Sequence, residues 1–174
     1  MAMIEQKDSF NVFAKVLFAV LGFIVGFIAI RLFLIPVKID NALMEPTLAV
    51  NDYVWFYKTK KVDSGSIVLY KSPLSGKLVG RIIARSGETV EIINKQLYIN
   101  GVKAAPQWAI KKSDTRIFPS RFVNRDNMNT ITVPDGHVFI LNDNWDTPND
   151  SRLFGVIAIE NIVGKYLFKI SLKK

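Results

Sequence analysis

The chain contains no cysteine and a single histidine, His137. The first absence excludes a disulfide scaffold and any thiolate metal site, and leaves the redox compartment open. The second excludes a zinc site built from several histidines and makes any Ser-His-Asp triad depend on His137 alone. Acidic residues are also scarce, 15 Asp+Glu against 23 Lys+Arg, for a formal net charge of +8. The 174 residues suffice for one domain, and apolar residues spread along the chain exclude intrinsic disorder. Mean hydropathy is +0.21, high for a freely soluble protein, and its main source lies near the N-terminus.

From Val16 to Ile30 the sequence runs VLFAVLGFIVGFIAI, with no charge and no strongly polar group. Arg31 interrupts, and LFLIPV carries the apolar run on to Val37. Together these make about 22 residues, or roughly 33 Å of helix, enough to span a bilayer. Arg31 lies near one end, where its guanidinium can snorkel to the headgroups, and Pro36 predicts the helix exit. The resulting division is a tail over 1–11, a transmembrane anchor over 12–37 and a domain over 38–174. A cleaved secretory signal is the competing reading, because Lys7 and Lys15 precede an apolar core. The core is long, however, and KIDNALMEP offers no small-x-small cleavage site. Lys7 and Lys15 flank one side, diluted by Glu5 and Asp8, while Arg31 and Lys38 flank the other. Charge therefore leaves the orientation open.

The domain carries 20 Lys+Arg and 13 Asp+Glu, a net +7. Its pattern is short segments rich in β-branched and aromatic residues: DYVWFYK, SIVLYK, KLVGRIIA, TVEIIN, QLYING, TITV, HVFILN and NIVGKYLFKI. Turn signals such as Asp63-Ser64-Gly65, Ser86-Gly87, Asn100-Gly101 and Pro134-Asp135-Gly136 separate them. No helical period recurs after the anchor. The expectation is a mainly β fold, an antiparallel β domain preceded by one transmembrane helix. Alternation places Val54 and Phe56 on one face of their strand and Tyr53, Trp55 and Tyr57 on the other, which suits core on one side and a membrane interface on the other. Residues 103–128 form an irregular excursion with six basic and two acidic residues, either a solvated loop or a patch for anionic lipids or polymers.

Four segments in order resemble the bacterial type I signal peptidases, membrane-bound serine proteases that remove signal peptides. They are Asn41-Ala42-Leu43-Met44-Glu45-Pro46-Thr47-Leu48 with Asn51-Asp52; Leu78-Val79-Gly80-Arg81-Ile82-Ile83-Ala84 with Ser86-Gly87-Glu88; Leu97-Tyr98-Ile99-Asn100-Gly101; and Val133 to His137 through Asn142-Asp143-Asn144 to Asp150-Ser151-Arg152-Leu153-Phe154-Gly155. The single anchor and short domain look like the Gram-positive form. The resemblance implies a cytoplasmic N-terminus, an extracytoplasmic signal-peptidase-like β domain and location in the cell membrane.

The family's chemistry is a Ser-Lys dyad, in which a lysine held neutral by burial takes the proton of an attacking serine. On the matching positions the nucleophile is replaced by Leu43, the lysine by Gly80, and a serine that supports the lysine by Pro148. The framework residues remain: Asn41, Met44, Pro46, Arg81, Asp143, Asn144, Asp150, Ser151 and Arg152, with Asp143 and Arg152 resembling the family's structural acid-base pair. No neighbour replaces the dyad. Lys77 is an odd number of residues from Gly80 and so faces the other way on a strand. Thr47 has a counterpart beside the family's own serine, and His137 fits a turn. Loss of nucleophile and base costs about six orders of magnitude in rate.

The resemblance is thus to a catalytically inactive paralogue, which binds signal peptides or modulates export through an active signal peptidase. Two alternatives stand beside it: an active signal peptidase with non-standard residues, and an extracytoplasmic module for anionic lipid or polymer. The partners implied are the membrane and exported signal peptides. No metal, cofactor or nucleic acid is implied.

Overall fold

The computed structural model describes residues 2–171, with the side chains of residues 2–11 and 29 left aside. The chain divides into two compact units, residues 1–34 and 35–174. The first is a single helix, α1 (Ala2–Phe33). Its Val12–Phe33 stretch is 22 residues long with a mean hydropathy of 2.6, long and apolar enough to cross a membrane. Exposed apolar side chains line it on every side, so no face is reserved for packing on a protein core. The guanidinium of Arg31 lies 5.5 Å from the Phe27 ring centre.

The helix begins at Ala2 rather than near residue 12, consistent with the good helix formers Ala, Met, Glu, Gln and Lys in its first turns. It also ends earlier than the apolar run suggests. Residues 34–37, read from sequence as the last part of the anchor, belong instead to strand β1 (Leu34–Lys38). The cause is local: Pro36 disfavours the α conformation at Ile35, so the chain turns extended before the proline rather than at it.

The second unit contains the remaining strands. They are β2 (Tyr53–Tyr57), β3 (Ile67–Ser72), β4 (Gly76–Arg85), β5 (Thr89–Ile93), β6 (Gln96–Ile99), β7 (Val102–Lys103), β8 (Met128–Thr132), β9 (His137–Leu141), β10 (Ile157–Ala158) and β11 (Ile162–Ile170). A four-residue helix, α2 (Ser151–Phe154), precedes β10. All eight segments rich in β-branched and aromatic residues form strands. The short β7 and β10 lack enough sequence to show a period.

The larger sheet has seven strands in the order β1-β2-β11-β3-β4-β9-β10, and the smaller has four in the order β7-β6-β5-β8. The assigned registers are antiparallel, as the mainly β expectation required. Within β2, Val54 and Phe56 are buried, while Tyr53 is exposed and Trp55 half-buried. Trp55 stacks on Phe168 across the pair, with ring centres 5.9 Å apart. Tyr53 sits opposite Ile170, extending that outer apolar face.

Strand β4 is the element on which the rest is organised. It is ten residues long and buried on both faces from Leu78 to Ala84. Leu78 and Ile82 enter a core with Tyr70, Val138, Ile140, Ile157 and Ile162. Val79 enters a second core with Met44, Leu48, Val54 and Phe56, and Ile83 a third with Phe139, Leu141 and Trp145. Strand β3 pairs with β4 along Gly76–Arg81, whereas β9 joins only from Arg81 to Arg85.

Candidate functional site

Leu43 lies in the turn-rich connection between β1 and β2. Asparagine chemistry explains the turn. The Asn41 carboxamide oxygen accepts from the Leu43 N–H at 3.1 Å, folding the chain back on itself, and its NH2 donates to Asp40 at 2.8 Å. The Leu43 carbonyl accepts from the Asn144 N–H at 2.9 Å, and the Asn144 side chain donates to the Ala42 carbonyl at 3.0 Å. The segment is therefore sewn to the chain just beyond β9. The Leu43 side chain, 7% exposed, enters the same apolar core as Tyr70, Leu78, Ile82 and Ile140.

Gly80 sits on β4 between Leu78 and Ile82, and its α-carbon faces that core. A Cβ placed there would meet Ile140 and Tyr70. Positions 43 and 80 thus converge on one apolar volume, where the buried core residues carry a single polar side-chain group, the Tyr70 hydroxyl. Pro148 is half-buried in the segment before α2. It lines a different groove of about 290 Å³, with Phe122, Val123, Arg152 and Leu153. Lys77 is exposed near the start of β4.

The next residue along β4 faces a different world. Arg81 Nε and Nη2 donate to the two carboxylate oxygens of Asp143 at 2.8 and 2.6 Å, and Nη1 donates to the Gly65 carbonyl at 2.8 Å. Thr47 donates its hydroxyl proton to the same carboxylate at 2.5 Å. The Trp108 ring covers the guanidinium at 4.7 Å. Every group here is engaged, so the Thr47 hydroxyl is committed to Asp143 and not poised to attack. His137 bonds through Nδ1 to the Asp135 carbonyl at 2.9 Å, within its turn.

The expected pairing of Asp143 with Arg152 is not found. Asp143 pairs with Arg81, because the register Arg81↔Leu141 brings the residue two beyond Leu141 alongside. Arg152 pairs with Asp150 through bonds of 2.9 and 2.7 Å and donates to the Trp145 carbonyl at 2.8 Å. Asp150 caps α2 and also accepts from the Asn142 N–H at 2.9 Å, while Ser151 Oγ accepts from the Ile140 N–H at 2.9 Å. The kept residues are a scaffold for the loop after β9. Met44 is buried and Pro46 exposed in the turn segment that carries Leu43.

Two residues that matter here escaped sequence reasoning, Tyr70 and Ile140. Tyr70 is fully buried, and its hydroxyl has no hydrogen-bond partner among the described residues. Burial, and then the nearby Asp150 charge, push that hydroxyl well above its ordinary pKa, so it stays protonated. The available signal was a tyrosine, rather than a purely apolar residue, in the SIVLYK strand.

The basic excursion, residues 104–127, holds no regular element and spends much of its charge internally. Lys111 pairs with Glu45 at 2.8 Å, Arg116 with Asp114 at 2.8 Å, and Arg125 with both Asp114 and Asp126 at 2.8 and 2.7 Å. Three of its five cations are thus ion-paired, which weakens the case for an open polyanion surface. Among the described residues no cluster of His, Cys, Asp or Glu could hold a metal.

Residues 11–171 match the family model for signal peptidase, peptidase S26. Signal peptidase IB of Staphylococcus aureus is 30% identical over 159 residues, covering 85% of this chain and 83% of that protein. The probable thylakoidal processing peptidase 2, chloroplastic, of Arabidopsis thaliana is 29% identical over 147 residues, 77% of this chain and 37% of that protein. Among solved structures, a signal peptidase I from Enterococcus faecalis shares 30% identity over 60% of this chain and 96% of its own, with a TM-score of 0.47.

Proposed function

The chain belongs to the signal peptidase family, peptidase S26, and from that premise we propose that it is a catalytically silent, membrane-anchored member that still receives extended peptides. The observation that carries this reading is the pair Leu43 and Gly80. A leucine side chain buried in the core and a residue without a side chain stand where the family resemblance places nucleophile and base. Neither can accept or donate a proton, and neither can form an acyl intermediate. The Leu43 N–H, which could greet a scissile carbonyl, is taken by Asn41.

Binding needs less than cutting. Because β9 joins β4 only from Arg81 onward, Gly76–Gly80 keep one unpaired edge. Beside that edge lies a small groove of about 130 Å³ lined by Ile39, Asp40, Met44, Lys77, Leu78 and Val79, among others. An extended signal peptide can add there as a strand, held by main-chain hydrogen bonds. In this reading the N-terminus is cytoplasmic, the β domain lies outside, and the partners are exported precursors or an active signal peptidase.

The test uses the full chain in detergent with a quenched fluorescent signal peptide. No cleavage above the buffer rate is expected, while a photo-reactive residue placed at Lys77 crosslinks the peptide. Turnover comparable with that of an active family member would end the proposal of silence. Absence of crosslinking would end the proposal of binding.

A further inference from the structure

The volume above Gly80 is not vacant. A Cβ at Gly80 would lie 2.5 Å from Cγ2 of Ile140, 3.2 Å from Cε1 of Tyr70 and 3.5 Å from the Leu141 carbonyl oxygen. Packed carbon atoms meet at about 3.5–4.0 Å, so the first contact is deep inside that limit and the second is tight. Ile140 has little freedom to retreat. It is fully buried and β-branched, so Cγ2 sits one bond from Cβ on a stiff rotamer, unlike the end of a methionine. Its N–H is tied to Ser151 Oγ at 2.9 Å, and its register opposite Ile82 fixes the backbone. Tyr70 is equally buried, on β3 opposite Leu78. Its ring closes the space from the other side, and its hydroxyl has no partner there.

We infer that Ile140 and Tyr70 occupy the volume that a lysine side chain at position 80 would need, so that glycine is required at this position by its neighbours. The chain's silence is then enforced by packing as well as by missing groups. Restoring the lost residues at 43, 80 and 148 does not by itself restore a working site. The functional half of this inference rests on reading positions 43 and 80 as the former catalytic centre; the packing half does not.

The two halves are separated by experiment. For packing, thermal unfolding of the full chain in detergent is measured for wild type, Gly80→Ala, Ile140→Ala and the pair. Alanine ordinarily stabilises a strand relative to glycine. Here Gly80→Ala is expected to lower Tm by several degrees in the wild type, and to leave it unchanged or raise it in the Ile140→Ala background. Tyr70→Leu, which removes Cε1, provides a second background should Ile140→Ala unfold too readily. An equal Tm change in every background, or a gain in the wild type, overturns the inference.

For function, Leu43→Ser/Gly80→Lys/Pro148→Ser is compared with the same variant carrying Ile140→Ala and Tyr70→Leu, on a signal-peptide substrate. Cleavage at least tenfold faster with the two added substitutions is expected. Equal, measurable cleavage by the two variants overturns the inference. If the Tm coupling is found but neither variant cleaves, the packing stands and the reading of this centre as a former catalytic site falls.

Discussion

Gly80 and Arg81 are neighbours on one strand, yet their two sides of β4 are built in opposite ways. On the Gly80 side, an apolar core closes over the place where the resemblance puts a base. On the Arg81 side, a guanidinium, a carboxylate, a hydroxyl, a backbone carbonyl and an indole ring remain fully interlocked. The physics of burial explains the asymmetry. A neutral lysine and a serine in an apolar setting can be replaced by hydrocarbon that fills the same space, with no charge left behind. A buried ion pair cannot be taken apart one residue at a time, because the survivor is left charged and unpaired. Under the reading proposed above, catalytic groups can be replaced one at a time by hydrocarbon, while the buried ion pair beside them persists.

This contrast can be broken most forcefully from the Arg81 side. Asp143→Ala leaves the Arg81 guanidinium buried without its partner and should cost about 3–5 kcal/mol, read from denaturant unfolding. A loss below 1 kcal/mol would mean that the scaffold is not held by this pair. On the Gly80 side, Leu43→Ser removes buried hydrocarbon from the core and should cost about 2–5 kcal/mol. Tyr70→Phe removes a buried hydroxyl that has no partner, so it should be neutral or stabilising by about 1 kcal/mol. A clear destabilisation would show that the hydroxyl is satisfied.

The smallest effect is expected from pH, in the excursion. Burial raises the Asp126 carboxyl, but the Arg125 hydrogen bonds and the Phe118 N–H outweigh it, and the net pKa lies below the usual value. A depressed carboxylate contributes its stability fully above its unfolded value of about 3.9 and loses it as pH falls through the folded value. Hydrogen exchange over residues 112–127 should therefore be flat from pH 7 to 5, once intrinsic rates are removed, and rise only in stronger acid. Arg125→Gln should move that rise toward neutral pH.

Much of the architecture was legible in the sequence because its signals are local. Alternating β-branched segments and glycine turns marked eight strands, and an uncharged apolar run marked the helix. The helix end was misplaced because hydrophobicity does not distinguish Leu34–Val37 in a strand from the same residues in a helix, and only the dihedral restriction before Pro36 does. That Leu43 and Gly80 carry no side chain able to move a proton needed only the residue types. The partners of Asp143 and Arg152 were not, since they depend on the β4–β9 register and on a capping turn. Nor were Tyr70 and Ile140, whose roles exist only because strands β3 and β9 flank β4.

One feature of β4 also bears on how copies of this protein behave toward one another. A strand edge with free N–H and C=O groups invites any extended chain, including the exposed edge of another copy. Here β1, at the margin of the same sheet, carries Pro36, which has no N–H to offer, and the exposed Lys38. Lys77 stands exposed on the open stretch of β4 itself. Edge pairing between two copies would bring like charges together and lose a ladder bond at the proline, whereas an uncharged foreign peptide meets neither obstacle. In the reading proposed above, the same edge disfavours pairing with a second copy and still admits an uncharged peptide.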